Sequence, residues 1–292
     1  MKTQNISTNL KHNQNYFYNF IIFLLFLLLC SCSSKNNDTT KSQSQDSTNS
    51  KIHSEKNENS IIKYGVEIID ILPHDTTFYT QGLVIHNGKL YEGTGLERKS
   101  KLVRFDLKNW KMEKNISLKD NYFGEGVTVF DNKIYQLTWL NQICLVYDLQ
   151  TMKQINEFTY SGEGWGLTNN DSILFMSDGS STIRLINPKN FTTISNINIT
   201  RNNSPVRFLN ELELVDGLLY ANIYMQDLII IADINTGKVV GEIDISSLRP
   251  LVSDYRYSEV SNGIAYDQAT GYFYLTGKFW NKIFIVKFVE QP

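Results

Sequence analysis

The chain has 292 residues, 41% apolar and 12% aromatic, enough for one large packed domain or two small ones. Its formal charge is −2 and no basic stripe runs along it, which excludes nucleic acid as an expected partner.

Lys2, Lys11 and His12 precede an apolar run from Phe20 to Cys30, FIIFLLFLLLC. At 11 residues the run is too short to span a bilayer as a helix and suits the core of a signal peptide. It ends in Leu29-Cys30-Ser31-Cys32, which resembles a bacterial lipobox. On that reading residues 1–31 are removed and Cys32 becomes the lipidated first residue; ordinary signal cleavage near Ser31 is the alternative. The expected address is the cell envelope, on the periplasmic or surface side of a bacterial membrane, held by the lipid alone. From Ser33 to Ser60 the one aliphatic residue is Ile52. Such a segment buries too little surface to offset its ordering entropy, so residues 32–60 read as a tether averaging roughly 30 Å end to end.

Cysteine and histidine then say little. Cys144 is the one cysteine beyond Cys32, inside an apolar strand, so no disulfide framework is possible. His12, His53, His74 and His86 show no ligand spacing, and no metal or other cofactor is expected.

The rest of the chain, residues 61–292, repeats. Asn121 to Trp139 (NYFGEGVTVFDNKIYQLTW) sets the pattern: a strand, a turn at Asp131-Asn132 and a second strand that brings Trp139 back beside Glu125. The same grammar opens at Gln81, Glu125, Trp165, Asn210 and Asn262, with spacings of 44, 40, 45 and 52. Each opening runs into an aromatic: Tyr91, Tyr135, Phe175, Tyr220 and Tyr274. A third strand follows in every repeat, and a fourth in all but the last. An unmatched strand stands ahead of the first repeat, in Tyr64–Leu72. The expected fold is therefore all-β, a five-bladed β-propeller whose last blade is closed by the N-terminal strand. A β-sandwich with odd spacing is the alternative.

In a propeller the first strand of each blade lines the central channel. Gln81, Glu125, Trp165, Asn210 and Asn262 should then converge on one mouth. Just outside them should lie the ends of the second strands: Gly95, Trp139, Gly179, Tyr224 and Lys278. Tyr79 and Phe123 precede two openings and could overhang the site. Singly, each has a plainer role: turn chemistry for Glu125, blade packing for Trp139 and Trp165, turn capping for Asn210 and Asn262. Together they keep position while varying in type, as a small-molecule pocket would.

The phrases YTQGL, FGEG, YQLTW, GEGWGLT, MSDGS, LNELE and NGIAYD with TGK resemble the plant- and bacterial-type glutaminyl-peptide cyclotransferases. The resemblance runs from about Phe78 to Lys278. It implies a five-bladed propeller that converts N-terminal glutamine of a peptide or protein into pyroglutamate and releases ammonia. It places the family's acid/base glutamate on Glu125, its channel glutamine on Gln81, its tryptophans on Trp139 and Trp165, its asparagine on Asn210 and its lysine on Lys278. Two positions depart, Tyr79 where the family usually has Phe and Tyr224 where it has Trp. Both stay aromatic.

In that reaction the α-amine attacks its own side-chain carboxamide, so the enzyme mainly selects the folded-back rotamer. Trp139, Trp165, Tyr224 and Phe123 could hold it. Glu125, partly buried and raised in pKa, could carry the proton to the leaving nitrogen. Asn210, Gln81 and Lys278 are candidate donors to the carbonyl oxygen. Two rivals remain: a lactonase-like hydrolase with Glu125, Asn210 and Asn262 as Ca²⁺ ligands, and a non-catalytic peptide-binding module. The chain gives no clear oligomer signal, and a monomer is expected.

Overall fold

The structure, a computed structural model, describes residues 60–252 and 259–292. The expected leader, the Cys32 anchor and the tether up to residue 59 lie outside the described residues.

The chain begins with a long strand, β1 (Ile62–Pro73). Three four-stranded antiparallel sheets follow. The first is β2 (Thr80–His86), β3 (Lys89–Thr94), β4 (Lys101–Asp106) and β5 (Lys111–Ser117); the second is β6 (Gly124–Phe130), β7 (Lys133–Thr138), β8 (Ile143–Asp148) and β9 (Gln154–Thr159). The third is β10 (Leu167–Asn169), β11 (Leu174–Met176), β12 (Thr182–Ile186) and β13 (Thr193–Asn198). A small hairpin, β14 (Thr200–Arg201) and β15 (Ser204–Pro205), leads to β16 (Leu209–Val215), β17 (Leu218–Ile223), β18 (Leu228–Asp233) and β19 (Val239–Asp244). After a 3₁₀ helix, Ser246–Leu251, come β20 (Ser261–Asp267), β21 (Tyr272–Gly277) and β22 (Lys282–Glu290). The repeat pattern foresees neither the small hairpin nor the 3₁₀ helix.

Turn chemistry explains the regularity. Asn87-Gly88, Asp131-Asn132 and Asp216-Gly217 all have positive φ at both residues, the two-residue turn whose twist matches the flanking strands. At the end of the third strand in the first four repeats a carboxylate or carboxamide closes the next turn. Asp106 Oδ1 accepts from Lys108 N at 2.9 Å, Asp148 Oδ1 from Thr151 N at 2.8 Å and Asp233 Oδ1 from Thr236 N at 2.8 Å. Burial falls outward across the three four-stranded sheets: β6 is buried almost throughout, whereas β9 is almost wholly exposed. That gradient is why the innermost strands read as apolar and the outermost as polar.

The inner strands meet in cyclic order: β2 on β6, β6 on β10, β10 on β16, β16 on β20 and β20 on β2. This is a β-propeller. Neighbouring inner strands pass close to one another. A side chain on Gly126 would put its Cβ 2.5 Å from the Trp165 carbonyl oxygen, so backbones touch there. Buried side chains also cap the inner N–H groups that have no strand partner. Glu211 accepts from Leu83 N at 3.1 Å and Ile264 N at 2.7 Å, which ties β16 to β2 and β20 across the axis. Glu213 accepts from Tyr266 N at 3.0 Å and Asn222 Oδ1 from Gly263 N at 3.0 Å.

β1 pairs antiparallel with β22 from Tyr64↔Glu290 to Pro73↔Lys282, and parallel with β19 over Ile62–Tyr64. Those pairings join seven later strands and β1 into one eight-stranded sheet. Cys144 is buried and free. His74 is buried against Glu92, its Nε2 3.1 Å from both carboxylate oxygens, and its Nδ1 lies 2.8 Å from the Trp280 carbonyl.

Candidate active site

Four of the five opening residues sit in a β-bulge. The pairing register slips between Thr80 and Gly82, Gly124 and Val127, Leu209 and Leu212, and Ser261 and Ile264. Gln81, Glu125, Asn210 and Asn262 lie inside those slips. A bulge leaves a residue out of the ladder and re-aims its side chain, as often happens beside active sites. The second-strand ends stand opposite, as expected: Gly95 N donates to Tyr79 O, Trp139 N to Phe123 O, Tyr224 N to Phe208 O and Lys278 N to Val260 O.

The opening residues form a polar floor. Asn262 Nδ2 donates to Gln81 Oε1 at 3.1 Å and to Thr80 O at 3.0 Å. Gln81 Nε2 in turn donates to Glu125 Oε1 at 2.9 Å. Both amide nitrogens already serve the floor, and Gln81 is therefore a weaker candidate donor to a substrate than expected. Glu125 Oε2, Asn210 Oδ1 and Asn262 Oδ1 are buried with no hydrogen-bond partner. Glu125 is more deeply buried than expected, with 3% exposed. Burial pushes its carboxyl well above the ordinary range; Lys278 opposes that, the Glu163 charge adds to it, and the Gln81 bond opposes it. Burial pulls Lys278 down to about 8, against the upward pull of Glu125 and Glu259.

Around the floor runs a belt of rings. Tyr79 packs edge-on against Phe123 at 6.0 Å, and Phe123 against Trp139 at 5.5 Å. On the other side Trp165 packs against Tyr224 at 5.6 Å. Lys278 Nζ joins the two arcs, 4.5 Å from the Tyr79 ring centre and 4.9 Å from that of Tyr224. Opposite it, Trp139 Nε1 and Trp165 Nε1 both donate to Glu163 Oε2, at 2.6 and 2.8 Å. The circuit is closed. The two rim glycines make room for it: a Cβ on Gly95 would strike Phe123, and one on Gly179 would stand 2.7 Å from Trp165 Cη2.

The residues expected at the mouth thus lie on the floor or in the belt, while Cys32 is outside the described residues. The sequence reading missed Glu163 and Glu259. Glu163 had a signal: Gly162-Glu163-Gly164 repeats Gly124-Glu125-Gly126 one repeat later, two positions before its opening residue. A groove of ≈ 790 Å³ lined by Ile155, Phe158 and Ile194 lies away from these residues.

A model of the glutamine cyclotransferase family matches residues 39–288. The glutaminyl-peptide cyclotransferase of Arabidopsis thaliana is 34% identical over 226 residues, 76% of this chain and 71% of that protein. The crystal structure of Myxococcus xanthus glutaminyl cyclase matches with a TM-score of 0.75 and 32% identity, covering 80% of this chain and 100% of that one. With a family match along most of its length and relatives at this identity and coverage, the chain belongs to the glutamine cyclotransferase family.

Proposed function

We propose that the protein is a glutaminyl-peptide cyclotransferase that converts an N-terminal glutamine into pyroglutamate and releases ammonia, with no metal cofactor. One observation carries the reading: three buried acceptors without partners, Glu125 Oε2, Asn210 Oδ1 and Asn262 Oδ1, floor an aromatic belt. An N-terminal glutamine brings N–H donors at both ends of its reacting pair, the α-amine and the carboxamide. In the reaction the amine nitrogen bonds to the carboxamide carbon, the bond to the amide nitrogen breaks, and that nitrogen leaves as ammonia. Glu125 takes a proton from the attacking amine through its free oxygen and returns one to the leaving nitrogen, a role suited to a carboxyl raised by burial. Lys278 and Asn210 serve as donors to the oxygen as charge develops there. The belt holds the folded-back rotamer, which supplies the proximity term.

The Lys278 ammonium beside Glu125 speaks against the calcium reading, because it already supplies the positive charge that a divalent ion would bring. Incubating the purified domain with a glutamine-initiated dipeptide tests the proposal. Ammonia should appear one-for-one with the pyroglutamyl product, and EDTA should not change the rate. Abolition by EDTA favours the metal hydrolase, and no ammonia at all leaves a binding module.

We read residues 61–292 as one five-bladed propeller domain with β1 completing the last blade; the long β1–β22 ladder supports this. Cys32 is proposed as the lipid anchor and residues 32–60 as the tether that holds a monomer off the envelope membrane.

A further inference from the structure

The belt has two junctions that are not ring against ring. One is Lys278 and the other is Glu163. A single oxygen of Glu163 takes both indole N–H groups, so the two Nε1 atoms lie no farther apart than those two bonds together. The carboxylate is thus the direct link between the Trp139 wall and the Trp165 wall. Each indole meets another ring of the belt as well, Phe123 for Trp139 and Tyr224 for Trp165.

Glu163 is itself held. Arg184, on β12, donates from Nη2 to Glu163 O at 2.6 Å and from Nη1 to Ser161 O at 2.7 Å. Its guanidinium also faces Asp178, with Nε 3.7 Å from Oδ2. The loop that carries the carboxylate is therefore pinned to a strand of its own sheet. Hydrogen bonds to a charged acceptor are roughly twice as strong as neutral ones, so two on one oxygen fix both rings firmly.

We propose that Glu163 is a positioning residue that sets the separation and tilt of the Trp139 and Trp165 walls, and thereby the fit of the substrate's glutamine side chain between them. The inference rests on the cyclase reading of this site. It also has an electrostatic side, since the Glu163 charge adds to the upward shift of the Glu125 carboxyl.

Two substitutions separate the parts. Glu163→Gln keeps an oxygen for the indoles and removes the charge. Glu163→Ala removes both. The Ala variant should raise KM for a glutamine-initiated dipeptide by about tenfold, the loss expected for charged hydrogen bonds, with a smaller change in kcat. Its near-ultraviolet circular dichroism should change as the indoles loosen. The Gln variant should keep KM within about threefold and move the acid limb of kcat to lower pH, a shift that a purely structural residue would not produce. Wild-type KM in the Ala variant, or an unmoved acid limb in the Gln variant, overturns the proposal. If the wild type releases no ammonia, the functional reading fails instead. Dipeptide binding followed by indole fluorescence then decides: weaker binding by the Ala variant supports the positioning role, and unchanged affinity overturns it.

Discussion

Glu125→Gln is the most informative single change at the site. The structure says what it keeps. The amide oxygen can occupy the Oε1 position and retain the 2.9 Å bond from Gln81 Nε2. The amide nitrogen then falls where Oε2 stood without a partner. What disappears is the proton carrier. General acid–base catalysis contributes ~10²–10⁴-fold, equivalent to about 3–5 kcal/mol of barrier, so kcat should fall by that factor. KM should change by less than about threefold, because the belt is untouched. Stability gives an independent sign. Glu125 has a folded pKa above its unfolded value, so its ionised form penalises the fold at higher pH. That penalty is relieved as pH falls through the raised value. The Gln variant lacks it, and its denaturation midpoint should match or exceed wild type at neutral pH. The assay is ammonia release under saturating dipeptide, with a thermal melt on the same sample. A folded Glu125→Gln protein turning over at near wild-type rate would refute the proton-carrier role.

Lys278 offers a pH test: its folded pKa, about 8, is depressed from 10.5, so its charge penalises the fold fully below 8 and not at all above 10.5. Wild-type stability relative to Lys278→Met should therefore rise across that window in urea melts, and a flat difference would contradict the burial reading. Deleting residues 33–59 should leave the melting temperature unchanged, whereas deleting on through Leu72 strips β1 from both β19 and β22 and should cause unfolding or aggregation. Equal melting temperatures for the two truncations would count against closure by β1. Gly179→Ala sets a Cβ 2.7 Å from Trp165 at a residue with φ of +79°, and should cost about 1–2 kcal/mol of stability and raise KM severalfold. Unchanged KM would show that Trp165 does not need its present seat.

Much of this molecule can be read from its repeats because the repeat chemistry is local. Asp131-Asn132 and Asp216-Gly217 specify their turns without help from the rest of the fold. Asp106, Asp148 and Asp233 close theirs from the end of the third strand. The site positions follow from the same register, which is why Glu125 and Trp139 could be set side by side from their spacing. What stays hidden depends on three-dimensional closure. Gly82, Gly126 and Gly166 look like turn glycines in sequence, yet each lies where a neighbouring inner strand passes too close for a side chain. Glu211 reads as one more polar residue of LNELE, and only the ring shows it bonded to β2 and β20. Glu163 serves two tryptophans that stand 26 residues apart in the chain, a meeting that no local pattern announces.

The unpartnered acceptors are unevenly placed, and this bears on turnover. Among the described residues five buried side-chain atoms lack hydrogen-bond partners. Two of them, Arg184 Nε and Asp227 Oδ1, belong to ion-paired side chains near Asp178 and Arg249. The other three all belong to opening residues of the repeat, on bulges that turn them out of the ladder. Each such atom costs roughly 1–3 kcal/mol while it stays unpaired. Under the cyclase reading, a substrate with an α-amine and a primary carboxamide can satisfy all three. The cyclised product cannot: its lactam retains one N–H, and the ammonia has left. The floor therefore matches the reactant better than the product, which favours release once the ring has closed.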